Sequence, residues 1–281
     1  MPFTAKSGKF NASINAVEFG TGDKAVKIGG ENVFPLYSFD AAIENAPKVG
    51  IEITDFGMEH EPECIKKYYE GCATLADMAR KAASMEGVDF LSFRMEGGDP
   101  NGANKSTEEL IGELKEIADA VDLPLVVCGC KNVEKDAELF SKAAEALNGK
   151  NAVILSAKEE NYKTVGAAAG LAYKQVVGAE SAVDINLAKQ LNVLISQLGV
   201  DSKSVVMNVG TAAVGYGFEY VISTMDRVKA AALQQGDANL QMPIITPVAE
   251  EAWNVKEAMA SEEDMPEWGP VEQRGIDMEV S

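Results

Sequence analysis

Short apolar runs alternate with longer segments of helical period along the chain from residue 49 onward. Buried parallel strands read as short runs rich in Val, Ile and Leu, and the helices that connect them read as amphipathic segments between those runs. Seven runs predict strands, at residues 49–56, 89–95, 124–130, 152–157, 175–181, 204–210 and 242–248. Helices are predicted between them, among others at residues 107–121, 133–147, 185–199 and 218–235. The pattern therefore predicts repeated βα units and a parallel sheet.

This repeat favours an α/β fold of the TIM (β/α)8 barrel type over a doubly wound open sheet. The units are evenly spaced, and the first strand is not followed by the GxGxxG turn of a dinucleotide-binding sheet. The 281 residues are close to the ~250 residues of a typical barrel. After the seventh run the sequence leaves no room for another apolar strand and its helix, so the last βα unit is expected to be missing.

The first 47 residues differ from this repeat and are predicted to form an N-terminal extension. Two short apolar runs in INAVEFGTGDKAVKIGG flank a turn at Gly20 to Asp23, which predicts a β-hairpin. The barrel domain is expected to occupy residues 48–281.

The net charge of the chain limits its partners. It is −19, from 44 acidic and 25 basic residues, and a charge of this sign repels phosphate backbones and anionic lipid heads. Nucleic acid and membrane surfaces are therefore disfavoured as partners. No apolar run reaches the ~20 residues of a membrane span, and the opening residues, MPFTAKSGKF, lack the apolar core of a secretory signal. A cytoplasmic location is expected.

The four cysteines are expected to be thiols, because a cytoplasmic chain of this length is not a disulfide scaffold. Cys64 and Cys72 lie in one segment of helical pattern. Cys128 and Cys130 lie two residues apart in a predicted strand, where they would point to the same side. No CxxC pair is present, so no iron–sulfur or zinc site is predicted on this chain.

Functional side chains of such barrels lie in the loops that follow the C-terminal ends of the strands. These positions hold a mixed polar set: Asp55, Arg94, Glu96, Asp99, Cys130, Lys131, residues 158–161, Glu180, Asp184, residues 208–217 and residues 246–253. Two of the acids could form a general acid–base pair, but helix caps and solvated rims account for acids as frequent as these. The only histidine, His60, disfavours zinc catalysis and hydrolase triads.

The loop NVGTAAVGYGFEY at residues 208–220 is the most informative of these segments. Its glycines are spaced nearly as in a phosphate loop, but the Lys–Ser/Thr pair that would hold a nucleotide is absent. Glycines at a strand end also let the backbone approach a large flat ligand or a partner subunit closely. A tight turn without a ligand is the other interpretation.

Five segments together resemble one known family, the small subunit of the corrinoid iron–sulfur protein, also called the delta subunit of the acetyl-CoA decarbonylase/synthase complex. The segments are DPNGANKS (99–106), SAVDINLAKQLNVLISQLG (181–199), VVMNVGTAAVGYGFEY (205–220), PIITPVAEEAW (243–253) and EWGPVEQRGI (267–276). The resemblance extends over most of residues 10–278. This sequence departs from the family after the RGI segment, where the relatives continue into a helix and a final strand.

The resemblance implies a (β/α)8 barrel that acts as a non-catalytic subunit beside a large subunit carrying a corrinoid and a [4Fe–4S] cluster. The corrinoid (cobamide) would lie between the two subunits of this heterodimer, and no iron–sulfur cluster would lie on this chain. The corrinoid would receive a methyl group from methyltetrahydrofolate through a methyltransferase. It would deliver that group to acetyl-CoA synthase, in complex with CO dehydrogenase, in the reductive acetyl-CoA pathway.

Six residues of the loop are candidates to line the barrel mouth and face the corrinoid or the partner on this interpretation. They are Asn208, Gly210, Thr211, Gly215, Tyr216 and Gly217. No catalytic residue and no metal ligand is predicted.

Two other functions stay open at this point. A pterin-dependent methyltransferase of similar fold would hold a folate through side chains such as Asp55, Asp184 and Asn208. A purely structural barrel would dock another protein at its mouth and contact neither ligand. Binding of methyltetrahydrofolate by the isolated chain would favour the enzyme, and corrinoid contact only within a heterodimer would favour the carrier.

Overall fold

The computed structural model describes residues 8–34 and 41–281. The remaining parts of the predicted extension, residues 1–7 and 35–40, lie outside the described residues. The extension contains an antiparallel hairpin of β1 (Val17–Phe19) and β2 (Val26–Ile28), joined by a short 3-10 turn at Gly22–Lys24. The predicted hairpin is therefore confirmed.

Six parallel strands form the main sheet. They are β3 (Gly50–Thr54), β4 (Phe90–Arg94), β5 (Leu125–Cys128), β6 (Val153–Ala157), β7 (Val176–Glu180) and β8 (Val205–Asn208), in consecutive order. Six of the seven predicted strands are confirmed, each shorter than its apolar run. A consecutive order has no point at which the order reverses, so the sheet is not doubly wound. Within residues 8–34 and 41–281, β3 and β8 form the two edges and do not pair with each other, so a closed barrel is not confirmed.

The seventh predicted strand, residues 242–248, is wrong as a strand. Its pairing is one isolated parallel bridge between Ile244 and Met207 of β8. The Met207 amide donates to Pro243 and the Ile245 amide donates to Met207, at 2.8 and 2.9 Å. Pro243 and Pro247 have no amide hydrogen to donate, and the next helix starts at Val248, so the ladder cannot extend further.

The helices lie between the strands and after the last strand. They are α1 (Glu63–Tyr68), α2 (Leu75–Ala83), α3 (Thr107–Ala120), α4 (Val133–Ala146), α5 (Tyr162–Val165), α6 (Ile185–Gln197), α7 (Phe218–Leu233), α8 (Val248–Trp253), α9 (Lys256–Met259) and α10 (Val271–Val280). A π-helical turn, Gly166–Ala172, continues α5. The four helices named from the sequence correspond to α3, α4, α6 and α7. None of the helices in the described part of the chain is long and apolar enough to cross a membrane.

The two faces of the sheet contribute to separate apolar clusters. Strand residues such as Phe93, Ile154 and Met207 pack with buried residues of α2, α3, α4, α6 and α7 in the larger cluster. The residues that alternate with them point to the inner face, where Val126, Val153, Val176 and Val206 meet Val17, Phe19 and Val26 of the hairpin. This alternation follows from the two-residue period of a strand. The hairpin therefore covers part of the inner face.

The hairpin sits at the N-terminal ends of the strands. The Gly20 amide donates to the carbonyl of Asn151, just before β6, at 2.7 Å. The Asn151 side chain donates to the carbonyl of Glu18 at 3.0 Å. A side chain at position 20 would collide with Pro124, just before β5, which explains the glycine there. The C-terminal ends of the strands are left for other groups.

The last three helices follow the residues that pair with β8 and reach β4 and the groove beside α1. α8 follows the residues that pair with β8, and its Glu250 binds Arg94 of β4 at 2.8 Å. α10 packs on α8, where Gly275 lies so close to the ring of Trp253 that a Cβ atom would collide with it. Glu272 of α10 lines an open surface groove together with Glu63 of α1.

The cysteines are free thiols, but their predicted positions need correction. α1 ends at Tyr68, so Cys64 and Cys72 do not share a helix. Cys128 belongs to the cluster on the inner face, and Cys130 belongs to the larger cluster between the sheet and the helices. The two side chains therefore do not point to the same side. The reason is that β5 ends at Cys128, and the chain then turns so that the Cys130 amide donates to Asp136 at 2.7 Å.

Candidate functional site

A cavity of about 320 Å3 opens at the C-terminal ends of the strands. Such a volume is at the lower end of the roughly 300–1,000 Å3 typical of small-molecule sites. Its wall is formed by strand-end residues Arg94, Cys128, Ser156, Glu180 and Asn208 and by residues of the loops that follow and of α4 and α8. The sequence predicts functional side chains at this end of the sheet, and here the structure has a cavity.

Arg94 is the most deeply buried cation of the cavity, with 5% of the residue exposed. Its Nε and Nη2 donate to the two carboxylate oxygens of Glu52 at 2.9 and 3.0 Å. Its Nη1 lies 2.8 Å from Glu250. Burial opposes the charge, but the neighbouring Cys128, Glu52 and Glu250 raise the pKa of Arg94 above its usual value. Arg94 is therefore a permanent positive charge that joins β3 to α8.

Lys131, in the loop after β5, shares Glu250 with Arg94. Its Nζ lies 2.7 Å from Glu250 and 3.2 Å from Glu251. Partial burial disfavours its charge, but the hydrogen bond and the charge of Glu250 outweigh this effect and raise the pKa of Lys131. A single carboxylate, that of Glu250, is thus held between two cations at the cavity mouth.

Polar side chains on β7 and β8, and on and just after β6, complete the wall. Lys158 and Glu180 form an ion pair at 3.2 Å. The amide group of Asn208 donates to the Ser156 hydroxyl at 3.1 Å, and its oxygen accepts from the Gly210 amide at 3.0 Å. Asn208 therefore fixes the start of the loop that follows β8.

Asp136 lies in the first turn of α4, with only 4% of the residue exposed. Its carboxylate accepts from the Cys130 amide at 2.7 Å, but burial, the largest effect, raises its pKa. Gly129 allows this contact, because a Cβ atom there would lie 2.2 Å from a carboxylate oxygen of Asp136. The helix start and the end of β5 are thereby joined inside the cavity wall.

Three non-glycine residues beside the cavity adopt positive φ angles. They are Lys131 at 68°, Ala182 at 43° and Val183 at 67°, and all three line the cavity. A β-branched residue such as Val183 is rare in this region of backbone space, and such conformations are concentrated at ligand and active sites. The loops after β5 and β7 thus have strained backbone where they meet the cavity.

The thiol of Cys128 in the cavity wall is not an activated nucleophile. Burial raises the pKa of Cys128 to about 12, so its thiol stays protonated at neutral pH. His60 lies outside the cavity, against the ring of Phe56 at 4.7 Å. Across residues 8–34 and 41–281, no three His, Cys, Asp or Glu side chains are grouped so as to hold a metal ion. The arrangement is suited to hold polar or charged groups of a ligand.

Comparison with protein families gives one match that covers most of the chain. Residues 16–268 match the model of the CO dehydrogenase/acetyl-CoA synthase delta subunit. The chain belongs to this delta-subunit family. The family predicted from the five sequence segments is therefore confirmed.

Several curated relatives have the same family name, acetyl-CoA decarbonylase/synthase complex subunit delta. The subunit of Archaeoglobus fulgidus is 33% identical over 271 residues, covering 93% of this chain and 58% of the relative. That of Methanothermobacter thermautotrophicus is 33% identical over 251 residues, covering 88% and 63%. That of Methanopyrus kandleri is 35% identical over 240 residues, covering 85% and 59%. This delta-subunit chain thus spans about three fifths of the length of these curated relatives.

Among solved structures, a dihydropteroate synthase from Xanthomonas albilineans superposes with a TM-score of 0.42 at 17% identity. The superposition covers 81% of the delta-subunit chain and 78% of the synthase. No structural conclusion follows from a TM-score of that size.

The six predicted mouth residues of this delta subunit divide into two groups. Asn208, Gly210 and Thr211 line the cavity. Gly215, Tyr216 and Gly217 lie outside it, in the turn that precedes α7, and their binding role stays a prediction. The two glycines have φ angles of 86° and 104°, which favour glycine, and Tyr216 is 54% exposed. Its hydroxyl donates to Glu257 of α9 at 2.7 Å.

Large apolar side chains are exposed on the turn that precedes α7 and at the starts of α7 and α8. Val214 and Tyr216 belong to the turn, Tyr220 to the first part of α7, and Val248 to the start of α8. Tyr220 is 66% exposed, although it is large and aromatic. A group of exposed apolar side chains can form a surface that binds a partner. We call these four residues the mouth patch.

Other predicted site residues have structural roles. Asp184 is exposed and caps α6 by accepting from the amides of Asn186 and Leu187. Asp55 is buried, accepts from the Gly97 amide at 2.9 Å and pairs with Lys105 at 2.9 Å.

Asp99, Asn161 and Glu96 complete this group of predicted residues. Asp99 accepts from the amide of Asn101 in a turn, and Asn161 accepts from the amide of Lys158. Glu96 is exposed at the rim. Its pKa is raised, mainly because its carboxylate loses some of its water and secondly because of the negative charge of Glu250. Caps and rims thus account for most of these acids, as the composition suggests.

Glu52, Asp136 and Ser156 are site residues that sequence reasoning missed. Glu52 stands in the middle of the apolar run VGIEITDF, at a position that alternates with the buried Ile53. A lone carboxylate in a strand is a signal for a buried counter-ion on a neighbouring strand. Asp136 had no comparable signal, because acids are common in the first turn of any helix.

Proposed function

We propose that this chain is the small subunit of a heterodimeric corrinoid iron–sulfur methyl carrier and that it caps the corrinoid during methyl transfer. The observation that carries the proposal is the match to the delta-subunit family over residues 16–268. The relatives are named as subunits of the acetyl-CoA decarbonylase/synthase complex, so we assign this chain to an assembly of the same kind. It acts there as a non-catalytic subunit.

The fold in this proposal is a TIM-type barrel. Consecutive strand order, and helices packed on one face only, support this type over an open sheet. The open side between β3 and β8 would be closed by the bridge at Ile244 and by α8 to α10, which reach Arg94 of β4 and the groove beside α1. A barrel closed in this way gives the rigid platform that a cap requires.

The corrinoid is proposed to lie over the mouth of the sheet rather than inside it. A cavity of about 320 Å3 is too small for a corrin ring with its side chains. Outside the cavity, Gly215 has no atom within 4 Å of the place where its Cβ would be, so backbone is open to a flat ligand there. The mouth patch adds apolar surface beside it. Asn208, Gly210, Thr211, Gly215, Tyr216 and Gly217 are the residues proposed to face the corrinoid or the partner.

When bound, the corrinoid supplies the cobalt that carries the methyl group. The role of this chain is to position the turn at residues 211–217 and to keep water from one face of the cofactor. Asn208 holds the start of that turn through the Gly210 amide. Tyr216 holds its end through Glu257.

The partners follow from the same proposal. The large subunit would carry both the corrinoid domain and the [4Fe–4S] cluster, so no cluster is assigned to this chain. A methyltetrahydrofolate:corrinoid methyltransferase would supply the methyl group, and acetyl-CoA synthase with CO dehydrogenase would receive it, in the reductive acetyl-CoA pathway. The mouth patch is the surface proposed to meet the large subunit.

The alternative of a pterin-dependent methyltransferase has less support. Of the three residues proposed to hold a folate, Asp184 is an exposed helix cap and Asp55 is bound to Lys105 and Gly97. Only Asn208 lines the cavity, and both ends of its amide are already bonded. The methyltransferase is therefore kept as an outcome of the test.

The test is co-expression of this chain, tagged, with its large subunit, followed by purification on the tag and a visible absorption spectrum. We expect a corrinoid spectrum when the large subunit is present and none when it is absent. Replacing both Tyr216 and Tyr220 by Ser should reduce the co-purified corrinoid several-fold. Tyr68→Ser, a tyrosine on α1 away from the mouth, should not. A colourless chain that binds methyltetrahydrofolate alone would refute the carrier, and a partner captured without corrinoid would indicate a structural barrel.

A further inference from the structure

The carboxylate of Glu250 occupies a place built for an anion at the mouth of the cavity. One of its oxygens lies 2.8 Å from Arg94 and the other 2.7 Å from Lys131. Arginine and lysine in this arrangement recognise carboxylates in general, whether they belong to a side chain or to a small molecule. We propose that Arg94 and Lys131 form a binding site for a small organic carboxylate, and that Glu250 masks this site until the ligand displaces it.

The first argument is the space behind the ion pairs. A salt bridge that only fastened α8 to the sheet would be packed without a void, because protein interiors are close-packed. Here the bridge covers a cavity of about 320 Å3 whose wall also contains Lys158 and Thr211. These groups offer hydrogen bonds to the rest of a ligand. The expected ligand is therefore a compact carboxylic acid with polar substituents.

The second argument is the backbone at the cavity. Lys131 itself has a φ of 68°, and Ala182 and Val183 have positive φ angles on the loop after β7. Strained residues of this kind persist where the surrounding structure holds them for a purpose, most often at ligand sites. The positive φ angles thus occur at one of the two cations and in the loop after β7, both in the cavity wall.

The third argument is the charge of the protein. With a net charge of −19, the surface repels anions. The charged residues of the cavity wall are three cations, Arg94, Lys131 and Lys158, and four acids, Asp136, Glu180, Glu250 and Glu251. A ligand carboxylate will therefore bind only where it takes the place of one of these acids. In the described part of the chain, the ion pairs that join α8 to the sheet and its loops are those of Glu250 and Glu251 with Arg94 and Lys131. α8 has only six residues and its first residue follows Pro247, which provides no side-chain cap. Displacement of Glu250 would therefore loosen α8 from the mouth.

This inference concerns a ligand inside the cavity and does not depend on the corrinoid or on a partner subunit. It is tested on the full 281-residue chain with succinate as the probe, by isothermal titration calorimetry at low ionic strength. Removing the competing charge in Glu250→Gln should lower the dissociation constant for succinate at least ten-fold. Glu145→Gln makes the same change of net charge at an exposed ion pair with Lys142 on α4 and should stay within two-fold of the unmodified chain.

A double variant, Glu250→Gln with Lys131→Gln, should lose the gain, because one of the two cations is gone. In the unmodified chain, saturating succinate should also speed tryptic cleavage after Lys256 several-fold, because α8 is released; this measurement needs no variant. Equal succinate affinity in Glu250→Gln and Glu145→Gln would overturn the proposal. So would a cleavage rate that succinate leaves unchanged.

Discussion

The two ends of the sheet's inner face are built from opposite kinds of residue. At the N-terminal ends, Val17, Phe19 and Val26 of the hairpin pack on strand valines in an apolar cluster. At the C-terminal ends, Arg94, Glu52 and Glu250 form a buried ionic network around a cavity. Burial of apolar area stabilises a fold without directional partners, whereas a buried charge is tolerated only when its partners are in place. We call the N-terminal ends of the strands the lower end and the C-terminal ends the upper end. The lower end therefore serves stability, and the upper end keeps polar groups available for binding.

Removing Arg94 should give the largest effect, because Glu52 loses the arginine that binds both of its carboxylate oxygens, while Glu250 keeps Lys131. We expect Arg94→Ala to lower the free energy of unfolding by about 3–5 kcal/mol, as for other broken buried ion pairs. Arg80→Ala removes an arginine from an exposed pair with Asp77 and should change stability far less. Urea denaturation of both variants gives the comparison. Similar losses in the two would mean that the upper network is not buried as described.

Truncating Phe19 should be nearly as costly at the lower end. Phe19 is 1% exposed and meets Phe90 edge to face, with the ring centroids 5.6 Å apart. Phe19→Ala should cost about 3–5 kcal/mol through lost burial and the cavity left behind. Ile222→Ala, on the exposed surface of α7, should stay within about 0.5 kcal/mol. A small effect for Phe19 would show that the hairpin is dispensable for the sheet.

A methyl group added between the two ends should have a smaller effect. At Gly178 of β7, a Cβ atom would lie 2.5 Å from the Leu155 side chain and 3.2 Å from the Ile154 carbonyl. Gly178→Ala should therefore cost about 1–3 kcal/mol by overpacking. Gly112→Ala, at an exposed position within α3, meets no atom within 4 Å and should instead stabilise by about 0.5–1 kcal/mol. Thermal unfolding of both variants checks the opposite signs.

The smallest expected effect is a pH dependence from Asp136. Burial raises its pKa above the usual 3.8, so its ionisation opposes folding as the pH rises through the folded-state value. Asp136→Asn keeps an acceptor for the Cys130 amide and removes the ionisation. The variant should be more stable than the unmodified chain at pH 7, and the difference should vanish below pH 3.8. Urea denaturation at several pH values measures this difference, and a constant offset would contradict the assignment.

Local patterns predicted the elements that local interactions specify. The strands from β3 to β8 and helices α3, α4, α6 and α7 follow from hydrophobic periodicity, and the hairpin follows from its glycine turn. The predicted strand at 242–248 failed because Pro243 and Pro247 interrupt the donors of its ladder. The prediction that Cys128 and Cys130 point to the same side was wrong because the strand ends at Cys128. Both errors lie at the ends of elements, where tertiary contacts decide the chain's path.

The sequence by itself determined the repeated βα units and, through five extended segments, the family of the chain. Only the tertiary structure decided which charges meet. Of the 44 acidic residues, Glu52 and Glu250 form ion pairs with Arg94, because the ends of β3, β4 and β5 and the start of α8 converge at one place. The cavity behind them has the same origin. Periodicity reports which face of an element is buried, whereas the partner of a buried charge depends on distances between elements far apart in the chain.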